Sequence, residues 1–461
     1  MAETIERRVE PQAPTARPGP RIGVVLAAGR SRRLARVTGG ASKALVMVGG
    51  VPLVERAVRT LLAYGLDEVV VVVGYQAARV GAAAEAAAPG RVRTVRARGW
   101  RRGNGASLAA VEPLVAAESA FLLVTADHVF GDGALAPLLS ARAPAALVDH
   151  APDPATWAEG TRVALHEERA IGFSKELEAP AVDCGAFLLT PEIFAAYHEA
   201  ARAGDHSLSG AVSALARRRA VAAVALPSGA WWHDVDTPAD LRTARRKLRR
   251  ALTKPTDGPV SRLLNRPVST RISMALAPLR IHPDVVSWAA LGLGVVAAWL
   301  LAHGHPLAGA LAVHLTSVLD GVDGELARLQ GRERPSGALL DGVLDRVTDV
   351  AIAAGLGVWA VERGGLDPGV GVVLTAGATA ASLLSMATKD RIAALGLRRG
   401  SERGPWYLLA GRDGRLLLVA LAALVGRPAW ALAALSVLGA AALVARLIAA
   451  GRSPAHGGSP A

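Results

Sequence analysis

Four aspartates at helical spacing interrupt the apolar second half of this chain, and they constrain its fold more than any other feature. Asp320 and Asp323 stand three residues apart in one apolar segment, and Asp341 and Asp345 stand four residues apart in the next. Residues at these spacings share one face of a helix. A carboxylate at membrane depth is costly, and it persists where a functional partner compensates it. The spacing therefore predicts two facing helices with a functional site between them.

The residues around these carboxylates indicate what they bind. Hard divalent cations take oxygen ligands, so four aspartates on two facing helices are suited to two Mg²⁺ ions that hold a diphosphate. Gly324 and Ala327 leave room for a nucleotide close to the backbone, and Arg328 can reach a phosphate. The alternative is that the acids form buried salt bridges with Arg328 and Arg346. Four acids separated by small residues exceed what two arginines need, so we prefer the metal site.

The rest of the second half predicts a membrane domain. Apolar residues make up 51% of the chain and are concentrated after about residue 284. We therefore predict an all-α, six-helix transmembrane domain over residues 281–451 and a tail over 452–461. Many of the segments are rich in Ala and Gly, which permits close helix packing in lipid. The six candidate spans are roughly 284–303, 306–328, 338–361, 368–393, 413–426 and 428–450.

The full pattern, D-x2-D-G-x2-A-R-x8-G-x3-D-x3-D, resembles the signature of the CDP-alcohol phosphatidyltransferase family at every defined position. This resemblance implies that Asp320, Asp323 and Asp341 are metal ligands. It also implies that Asp345 completes the metal site and acts as general base on the acceptor hydroxyl. In addition, His282-Pro-Asp-Val-Val-Ser287 resembles the family's H-P-N-x-x-T entry to the first span. The resemblance further implies that Gly324, Ala327 and Arg328 contact the CDP group.

The first half has the pattern of a separate α/β domain. Residues 21–240 alternate apolar strands with helical stretches, which predicts a doubly wound, Rossmann-like, mostly parallel sheet in a domain over residues 21–250. The preceding residues 1–20 are polar and rich in proline, so we expect a disordered tail without a signal peptide. The predicted strands are Ile22–Ala28, Glu68–Gly74, Phe121–Asp127, Ala145–Asp149, Phe187–Leu189 and Ala220–Leu226.

The first strand leads into a small-residue turn that ends at Gly29. Backbone N–H groups of such a turn are presented to phosphates at the carboxyl end of a strand, and Arg33 and Lys43 supply positive charge. Taken alone, a turn of this kind is equally consistent with a purely structural role.

The motif resembles the L-A-A-G-x-G-x-R-L opening and the P-K-x-L lysine of sugar-nucleotide and CTP-using nucleotidyltransferases. Two positions differ, because Ser31 replaces the second glycine and Ser42 replaces the proline before Lys43. The resemblance implies that Arg33 and Lys43 are the catalytic cations. It further implies nucleotide binding by Leu26, Ala27, Ala28, Gly29 and Lys43.

Two carboxylates complete the expected site of the first half. Asp127 ends an apolar strand, and Asp236 stands just ahead of a helix that Pro238 favours at an early position. By the resemblance, Asp127 and Asp236 hold the Mg²⁺ (or Mn²⁺) that bridges the nucleotide α-phosphate and the incoming phosphate. The alternatives are a strand-end turn at Asp127 and a helix N-cap at Asp236.

Further residues are candidates for recognising the base and the acceptor. The segment around Asn104 and Gly105 resembles a base-recognition loop, with the Asn104 amide at a pyrimidine edge; the alternative is an Asn-Gly turn. Lys175 is a candidate for the acceptor phosphate or a solvated surface lysine. The Asp183-Cys-Gly185 segment resembles the family's D-T-G acceptor contact. The single cysteine, Cys184, excludes an intrachain disulfide and is predicted to pack and not to act as a nucleophile.

The connection between the halves predicts attachment to a membrane surface. Residues 251–280 form a linker in which apolar residues recur at near-helical spacing, which is typical of an interfacial amphipathic helix.

Three basic residues fall near the ends of predicted spans, namely Lys389, Arg412 and Arg415. They either anchor the spans on the cytoplasmic side of the membrane or bind the acceptor phosphate. We therefore predict a multi-pass inner-membrane protein with a cytoplasmic first domain. A basic cluster that suits anionic lipid consists of Arg242, Arg245, Arg246, Lys247, Arg249 and Arg250.

Together the halves resemble fusions of an inositol-1-phosphate cytidylyltransferase with a CDP-inositol:inositol-1-phosphate transferase. The resemblance implies CTP, inositol-1-phosphate and CDP-inositol as partners, Mg²⁺ as cofactor (one ion in the soluble site, two in the membrane site), contact with membrane lipid, and a homodimer through the membrane domain. Despite a net charge of +13, no zinc module or aromatic-basic interleaving is present, so no nucleic-acid partner is predicted.

Two alternatives remain at this point. In the first, the activated alcohol phosphate is of a choline or glycerol type, with Trp231 and Trp232 as a cation-binding wall for choline. In the second, the first half is a regulatory module attached to a phospholipid synthase that uses CDP-diacylglycerol.

Overall fold

A computed structural model describes residues 19–30, 33–34, 38–395 and 411–452. Ser31 lies outside the described residues, and so do the predicted tails apart from residues 19, 20 and 452. The chain forms two compact units, residues 1–247 and 248–461.

The first unit is built on a nine-stranded sheet with strand order β5-β4-β1-β6-β11-β8-β12-β10-β9. Two further pairs of strands, β13 with β7 and β2 with β3, form separate ribbons. The strands are β1 (Ile22–Ala27), β2 (Met47–Val48), β3 (Val51–Pro52), β4 (Glu68–Val73), β5 (Val92–Arg96), β6 (Phe121–Thr125), β7 (His128–Phe130), β8 (Ala145–Asp149), β9 (Arg162–His166), β10 (Arg169–Ser174), β11 (Ala181–Leu189), β12 (Val221–Ala225) and β13 (Trp232–Asp234).

Helices cover the sheet and complete two apolar cores. Side chains of β1 alternate between them, because Val24 belongs to one cluster of buried residues and Val25 to the other. This alternation explains why β1 is apolar throughout, since a strand covered on both faces has no solvent side. The helices are α1 (Leu53–Ala63), α2 (Ala77–Ala87), α3 (Asn104–Leu108), α4 (Glu112–Val115), α5 (Ala136–Ser140), α6 (Pro154–Glu159), α7 (Glu192–Arg202), α8 (Leu208–Arg218) and α9 (Pro238–Ala251).

The sheet is mixed, which corrects the expectation of a mostly parallel one. Strands β5, β4, β1 and β6 run parallel, but β11 is antiparallel to both β6 and β8, and β10 is antiparallel to β12 and β9. The β9–β10 hairpin has no counterpart among the predicted strands, because its two-residue turn is Glu167-Glu168 and lacks the usual Asn-Gly signal. Glu167 nevertheless adopts a φ of 55° there.

The parallel part of the sheet determines where the site of this unit forms. Leu26 of β1 pairs with Thr125 of β6, so the turns that follow these two strands leave the same edge of the sheet. The β7–β13 ribbon pairs His128 with Asp234. This register brings the segment that follows β6 beside a segment more than a hundred residues later.

The second unit is helical, and a helix occupies each of the six predicted positions. A preceding helix, α10 (Arg266–Leu276), follows a π-helical turn over Ser261–Asn265. The six helices are α11 (Pro283–Ala302), α12 (Pro306–Gln330), α13 (Pro335–Glu362), α14 (Pro368–Ala394), α15 (Arg412–Leu424) and α16 (Pro428–Gly451).

Three of these helices, namely α11, α14 and α16, are long and apolar enough to cross a membrane by length and composition. Helices α12 and α13 carry the aspartates of the signature, and α15 has only 13 residues. The unit thus contains the expected helices, whereas six membrane crossings remain a prediction.

The segment predicted to be amphipathic is a helix, but the face that it buries is polar. Ser269 and Ser273 are completely buried, whereas Leu263, Leu264 and Val268 are exposed. The serines are buried because they donate hydrogen bonds to a carboxylate of α12. The apolar side chains are consequently left on the outer side, and their contact with a membrane surface stays a prediction.

Candidate active sites

A lysine among carboxylates forms the centre of the site in the first unit. The Nζ atom of Lys43 lies 2.7 Å from Asp127 and 3.2 Å from Asp234, and it also contacts Asp236. Lys43 belongs to a one-turn helix after the phosphate-loop segment, Asp127 follows β6, and the other two carboxylates lie at and just after the end of β13. The predicted cation and both predicted carboxylates are therefore brought together.

The charges of this group shift its pKa values in opposite directions. Burial alone would lower the pKa of Lys43, but the neighbouring carboxylates outweigh burial and raise it. Burial alone would raise the pKa of Asp127, but Lys43 and His128 hold it well below its usual range. For Asp234, burial dominates and the pKa is raised. Lys43 is therefore a permanent cation that compensates ionised Asp127.

His128 is a member of the site that sequence reasoning missed. Its Nδ1 atom lies 2.6 Å from Thr125 Oγ1 and 2.9 Å from Asp127 Oδ1. Its ring stacks on Trp232 at 5.3 Å between centroids and 4° between planes. Although burial lowers the pKa of His128, Asp234 and Asp127 raise it to about 9. The adjacency of His128 to Asp127 in the sequence was the available signal.

A candidate metal centre in this unit consists of Asp127, His128 and Asp234, whose ligand atoms lie within 4.8 Å of one another. Two carboxylates with an imidazole fit a divalent cation. The family resemblance selected Asp236, two residues after Asp234, as the second carboxylate ligand. Asp236 lies outside this group and contacts Lys43 and Arg33. Its role as a metal ligand remains a prediction.

An open pocket of about 250 Å³ adjoins the acidic group. Lys175 and Asp183, both predicted to bind the acceptor, line it. Burial raises the pKa of Asp183 to about 6. Gly185 also lines the pocket, with a φ of 71°, and a Cβ there would come within 2.8 Å of the His128 ring. Only glycine fits this position, because both the backbone conformation and the close approach exclude a side chain.

The proposed base-recognition loop has a structural function as well. Asn104 lines the pocket, but its Oδ1 atom accepts a hydrogen bond of 2.7 Å from Leu208 N at the start of α8. A Cβ at Gly105 would come within 2.6 Å of the Ser207 carbonyl oxygen, so this glycine permits close backbone packing. Asn104 and Gly105 begin helix α3, so they do not form the Asn-Gly turn of the alternative, and base recognition by Asn104 remains a prediction.

The phosphate-loop residues differ in what they present. Leu26, Ala27 and Ala28 are buried, so their side chains serve the core, whereas Gly29 is exposed. Arg33 is half exposed, lies 2.9 Å from Glu159 of α6 and contacts Asp236. Backbone groups of this turn, with Arg33, are thus the parts available to a nucleotide.

Cys184 and Trp232 are both explained by packing. Cys184 is completely buried, and burial raises the pKa of its thiol, which is the opposite of what a nucleophile needs. The Trp232 indole is 4% exposed, donates to Asp149 at 2.8 Å and is covered by His128. Trp232 is consequently not available for the cation-binding wall of the choline alternative, whereas Trp231 is half-buried.

The signature aspartates of the second unit form a second acidic group. Oxygen atoms of Asp320, Asp341 and Asp345 lie within 4.8 Å of one another. Asp323 is buried beside them and accepts hydrogen bonds from Ser287 Oγ and from the Gly324 backbone. The arrangement confirms that the two facing helices α12 and α13 bring the carboxylates together, and an all-oxygen donor set fits a hard divalent cation.

Arg412 reaches this acidic group from α15. Its Nη1 atom lies 2.6 Å from Asp320 and 2.9 Å from Asp345. The salt-bridge alternative named Arg328 and Arg346 instead. Arg346 lies 3.7 Å from Asp345, and Arg328 donates to the Leu252 carbonyl oxygen at 3.2 Å. The cation nearest to the signature acids was thus not the one that local sequence suggested.

The remaining predicted acceptor residues lie at two helix ends. Arg415 is one turn along α15 from Arg412, and its Nη2 atom lies 3.6 Å from Asp349. Lys389 lies near the end of α14 and is half-buried. Acceptor binding by these residues remains a prediction.

A pocket of about 210 Å³ opens beside the acidic group of the second unit. Asp323 and Asp341 contribute to both the pocket and the acidic group. A ligand in the pocket would therefore reach the carboxylates. The other lining residues include the predicted CDP contacts Gly324, Ala327 and Arg328, together with His282, Ser287 and Gly337.

Comparison with known proteins agrees with this division. Residues 23–267 match the MobA-like NTP transferase domain, and residues 280–402 match the CDP-alcohol phosphatidyltransferase family. The bifunctional IPC transferase and DIPP synthase of Rubrobacter xylanophilus is 37% identical over 430 residues, which cover 92% of this chain and 95% of that protein. This chain belongs to the same family.

Two other relatives match smaller parts of the chain. The bifunctional IPC transferase and DIPP synthase of Thermococcus kodakarensis is 34% identical over 73% of this chain and 75% of its own length. The phosphatidylinositol phosphate synthase of Cutibacterium acnes is 32% identical over 40% of this chain and 93% of its own length. As a member of the bifunctional family, the chain is a transferase with a nucleotidyltransferase part and a CDP-alcohol phosphatidyltransferase part.

Proposed function

We propose that the enzyme makes CDP-inositol from CTP and inositol-1-phosphate in its first unit. Its second unit then transfers the inositol phosphate group to another inositol-1-phosphate, which releases CMP and gives di-myo-inositol phosphate phosphate, a precursor in osmolyte synthesis. The observation that carries the proposal is the presence of two acidic groups, each beside its own pocket, in a chain that is similar to a bifunctional relative over nearly its whole length.

The first step is a phosphoryl substitution on CTP. A phosphate oxygen of inositol-1-phosphate attacks the α-phosphorus of CTP, and the bond from that phosphorus to the diphosphate leaving group breaks. Lys43 and Arg33 lie beside the acidic group and neutralise charge that develops on the phosphate oxygens. The exposed turn at Gly29 offers backbone N–H groups to the triphosphate.

Acceptor recognition in the first step involves the far side of the pocket. Lys175, which lines the pocket, binds the phosphate of inositol-1-phosphate, and Asp183 on the same pocket wall accepts hydrogen bonds from ring hydroxyls. One bound Mg²⁺, held by Asp127 with Asp234 or Asp236, would supply charge neutralisation between the two reacting phosphates.

The second step takes place at the signature aspartates. Asp345 accepts the proton of an acceptor hydroxyl, and the hydroxyl oxygen attacks the phosphorus of CDP-inositol that carries inositol. The bond from that phosphorus to the CMP oxygen breaks. Gly324, Ala327 and Arg328 hold the cytidine diphosphate in the pocket next to Asp323. Two bound Mg²⁺ ions, held by the four signature aspartates, would stabilise the charge on the diphosphate.

The setting of this chemistry is part of the proposal. The first domain, residues 21–250, faces the cytoplasm, the linker helix within 251–280 lies along the headgroups, and helices over 281–451 cross the inner membrane six times. The three long apolar helices and the basic cluster around Arg245 support this arrangement. A homodimer through the membrane domain belongs to the same proposal.

The alternative functions have less support. The cation-binding wall suggested for an activated choline phosphate loses Trp232, which is buried and stacked on His128. A phospholipid synthase that uses CDP-diacylglycerol would need only the second unit, and the phosphatidylinositol phosphate synthase relative matches 40% of this chain over 93% of its own length. In such a protein the first unit would have no reason to retain Lys43 among three carboxylates.

Phosphorus NMR of the purified protein with CTP, Mg²⁺ and inositol-1-phosphate tests the proposal. We expect a CDP-inositol diphosphate signal that gives way to a phosphodiester signal and CMP. Turnover of another alcohol phosphate without consumption of inositol-1-phosphate would retain both sites and reject the inositol assignment. Accumulation of CDP-inositol without a phosphodiester would reject the second step.

A further inference from the structure

A fifth carboxylate, Asp349, follows the signature on helix α13 and has surroundings different from those of the other four. Asp341, Asp345 and Asp349 stand at intervals of four residues, so they form a row on one helix face. The Asp349 side chain is buried, with 9% of its surface exposed. Among the described residues, the converging oxygen atoms belong to Asp320, Asp341 and Asp345, and Asp349 is outside that group. Asp349 therefore needs an explanation other than metal binding.

The partners of Asp349 are three arginines and a serine. Its Oδ1 atom lies 3.2 Å from Arg412 Nε, and its Oδ2 atom lies 3.2 Å from Arg346 Nη1 and 3.6 Å from Arg415 Nη2. Ser382 Oγ donates a hydrogen bond of 2.6 Å to Oδ2. Guanidinium groups from α13 and α15 thus converge on one buried carboxylate, which is itself held by α14.

This geometry fixes the direction in which Arg412 points. Because its Nε atom is held by Asp349, its Nη1 atom is directed to Asp320 and Asp345 at 2.6 and 2.9 Å. A flexible arginine has many rotamers, so a fixed partner at Nε is an effective means of orienting the rest of the group. The position of the arginine next to the proposed general base therefore depends on Asp349.

The arginines retain donors that Asp349 does not use. The Nε atoms of Arg346 and Arg415 are buried and have no hydrogen-bond partner among the described residues. Buried guanidinium donors without partners are costly unless a ligand satisfies them. Phosphate is the ligand whose oxygens match several guanidinium groups at once.

We propose that Asp349 is a positioning residue of the transfer step, which holds Arg412, Arg415 and Arg346 as a preformed group for the phosphate of the acceptor. This inference rests on the proposed function. It assigns Asp349 to the phosphate monoester of the acceptor, whereas the neighbouring Asp345 serves its hydroxyl.

The test is the kinetics of Asp349→Asn in the full chain, with CDP-inositol and inositol-1-phosphate supplied and CMP release measured. Loss of a charged partner is expected to raise the KM for inositol-1-phosphate about tenfold, while the KM for CDP-inositol changes less than about twofold. The formation of CDP-inositol from CTP is expected to be unchanged, since that step belongs to the other unit. Asp349→Glu is expected to restore part of the acceptor affinity.

Asp390→Asn serves as the matched control, because Asp390 is an exposed carboxylate on α14 of the same unit. An acceptor KM that stays at the wild-type value in Asp349→Asn would overturn the inference, and so would equal increases in the KM of donor and acceptor. If the variant fails to fold, Ser382→Ala removes one hydrogen bond from Asp349 and must raise the acceptor KM in the same direction. A wild-type enzyme that does not consume CDP-inositol would instead reject the proposed function.

Discussion

At the scale of single residues, Asp234 is the most informative position in the first unit. It follows a tryptophan and a buried histidine at the end of a short strand, and its carboxylate lies beside Lys43 and Asp127. Asp236, two residues later, points to Lys43 and Arg33. The two carboxylates of one motif therefore have different neighbours, and different effects of substitution follow.

We expect Asp234→Asn to weaken metal binding in the first step, because one of two carboxylates in the candidate metal centre loses its charge. The Mg²⁺ concentration for half-maximal CDP-inositol synthesis should rise at least about tenfold. Titration of Mg²⁺ in an assay of CTP consumption measures this value. Asp132→Asn, at an exposed position of the same unit, is the matched control. An unchanged Mg²⁺ dependence in Asp234→Asn would remove this residue from the metal centre.

Two further substitutions separate the half-reactions. Asp127→Asn should reduce CDP-inositol synthesis at least about 100-fold, because a half-buried charge beside Lys43 is lost. Asp345→Asn should reduce transfer from supplied CDP-inositol about 100-fold or more, as expected when a general base is removed. Each variant should retain the other activity. Loss of both activities in either folded variant would contradict the assignment of one step to each unit.

At the scale of elements, one carboxylate attaches helix α10 to the helix that carries Asp320 and Asp323. Glu325 of α12 is completely buried and lies 2.6 Å from Arg266. It also accepts hydrogen bonds from Ser269 at 2.7 Å and Ser273 at 2.6 Å. A buried carboxylate with all of these donors orients α10 so that its apolar side chains remain outside.

We expect Glu325→Ala to destabilise the second unit, since Ser269 and Ser273 would lose their buried acceptor and Arg266 would keep Asp257 as its carboxylate partner. A buried donor that is left without an acceptor typically costs about 1–3 kcal/mol. Thermal unfolding in detergent, followed by tryptophan fluorescence, measures the change. Glu362→Ala provides the comparison, because Glu362 is exposed at the end of α13. Equal stability of the two variants would show that the buried network does not hold α10.

At the scale of the whole molecule, each unit has its own apolar core. The sheet of the first unit is covered by two clusters of buried residues, and the helices α11 to α16 share another. A domain with its own core is expected to fold alone. This organisation allows the two reactions to be separated physically as well as by substitution.

A protein that ends at residue 250 should therefore be soluble and should make CDP-inositol at a rate comparable with that of the full chain. Activity of the soluble fragment with CTP and inositol-1-phosphate, measured by diphosphate release, checks this expectation. The same fragment with Asp127→Asn is the negative control. A folded but inactive fragment would favour a regulatory role for the first unit.

The sequence alone determined the features that depend on local spacing. The four signature aspartates share helix faces because residues three and four apart do so in any α-helix, and α12 and α13 bear this out. The core strands β1, β4 and β6 were also predictable, because uninterrupted apolar runs are typical of strands that are covered on both faces.

The tertiary structure alone decided the features that depend on distant pairing. The β7–β13 register brings Asp234 to Asp127, and the packing of α15 brings Arg412 to Asp320 across more than ninety residues of sequence. The mixed sheet likewise follows from the antiparallel neighbours of β11. Local spacing contains no information about such contacts. The free energy that selects them comes from burial and charge compensation between segments that are distant in the sequence, and only the fold makes these segments neighbours.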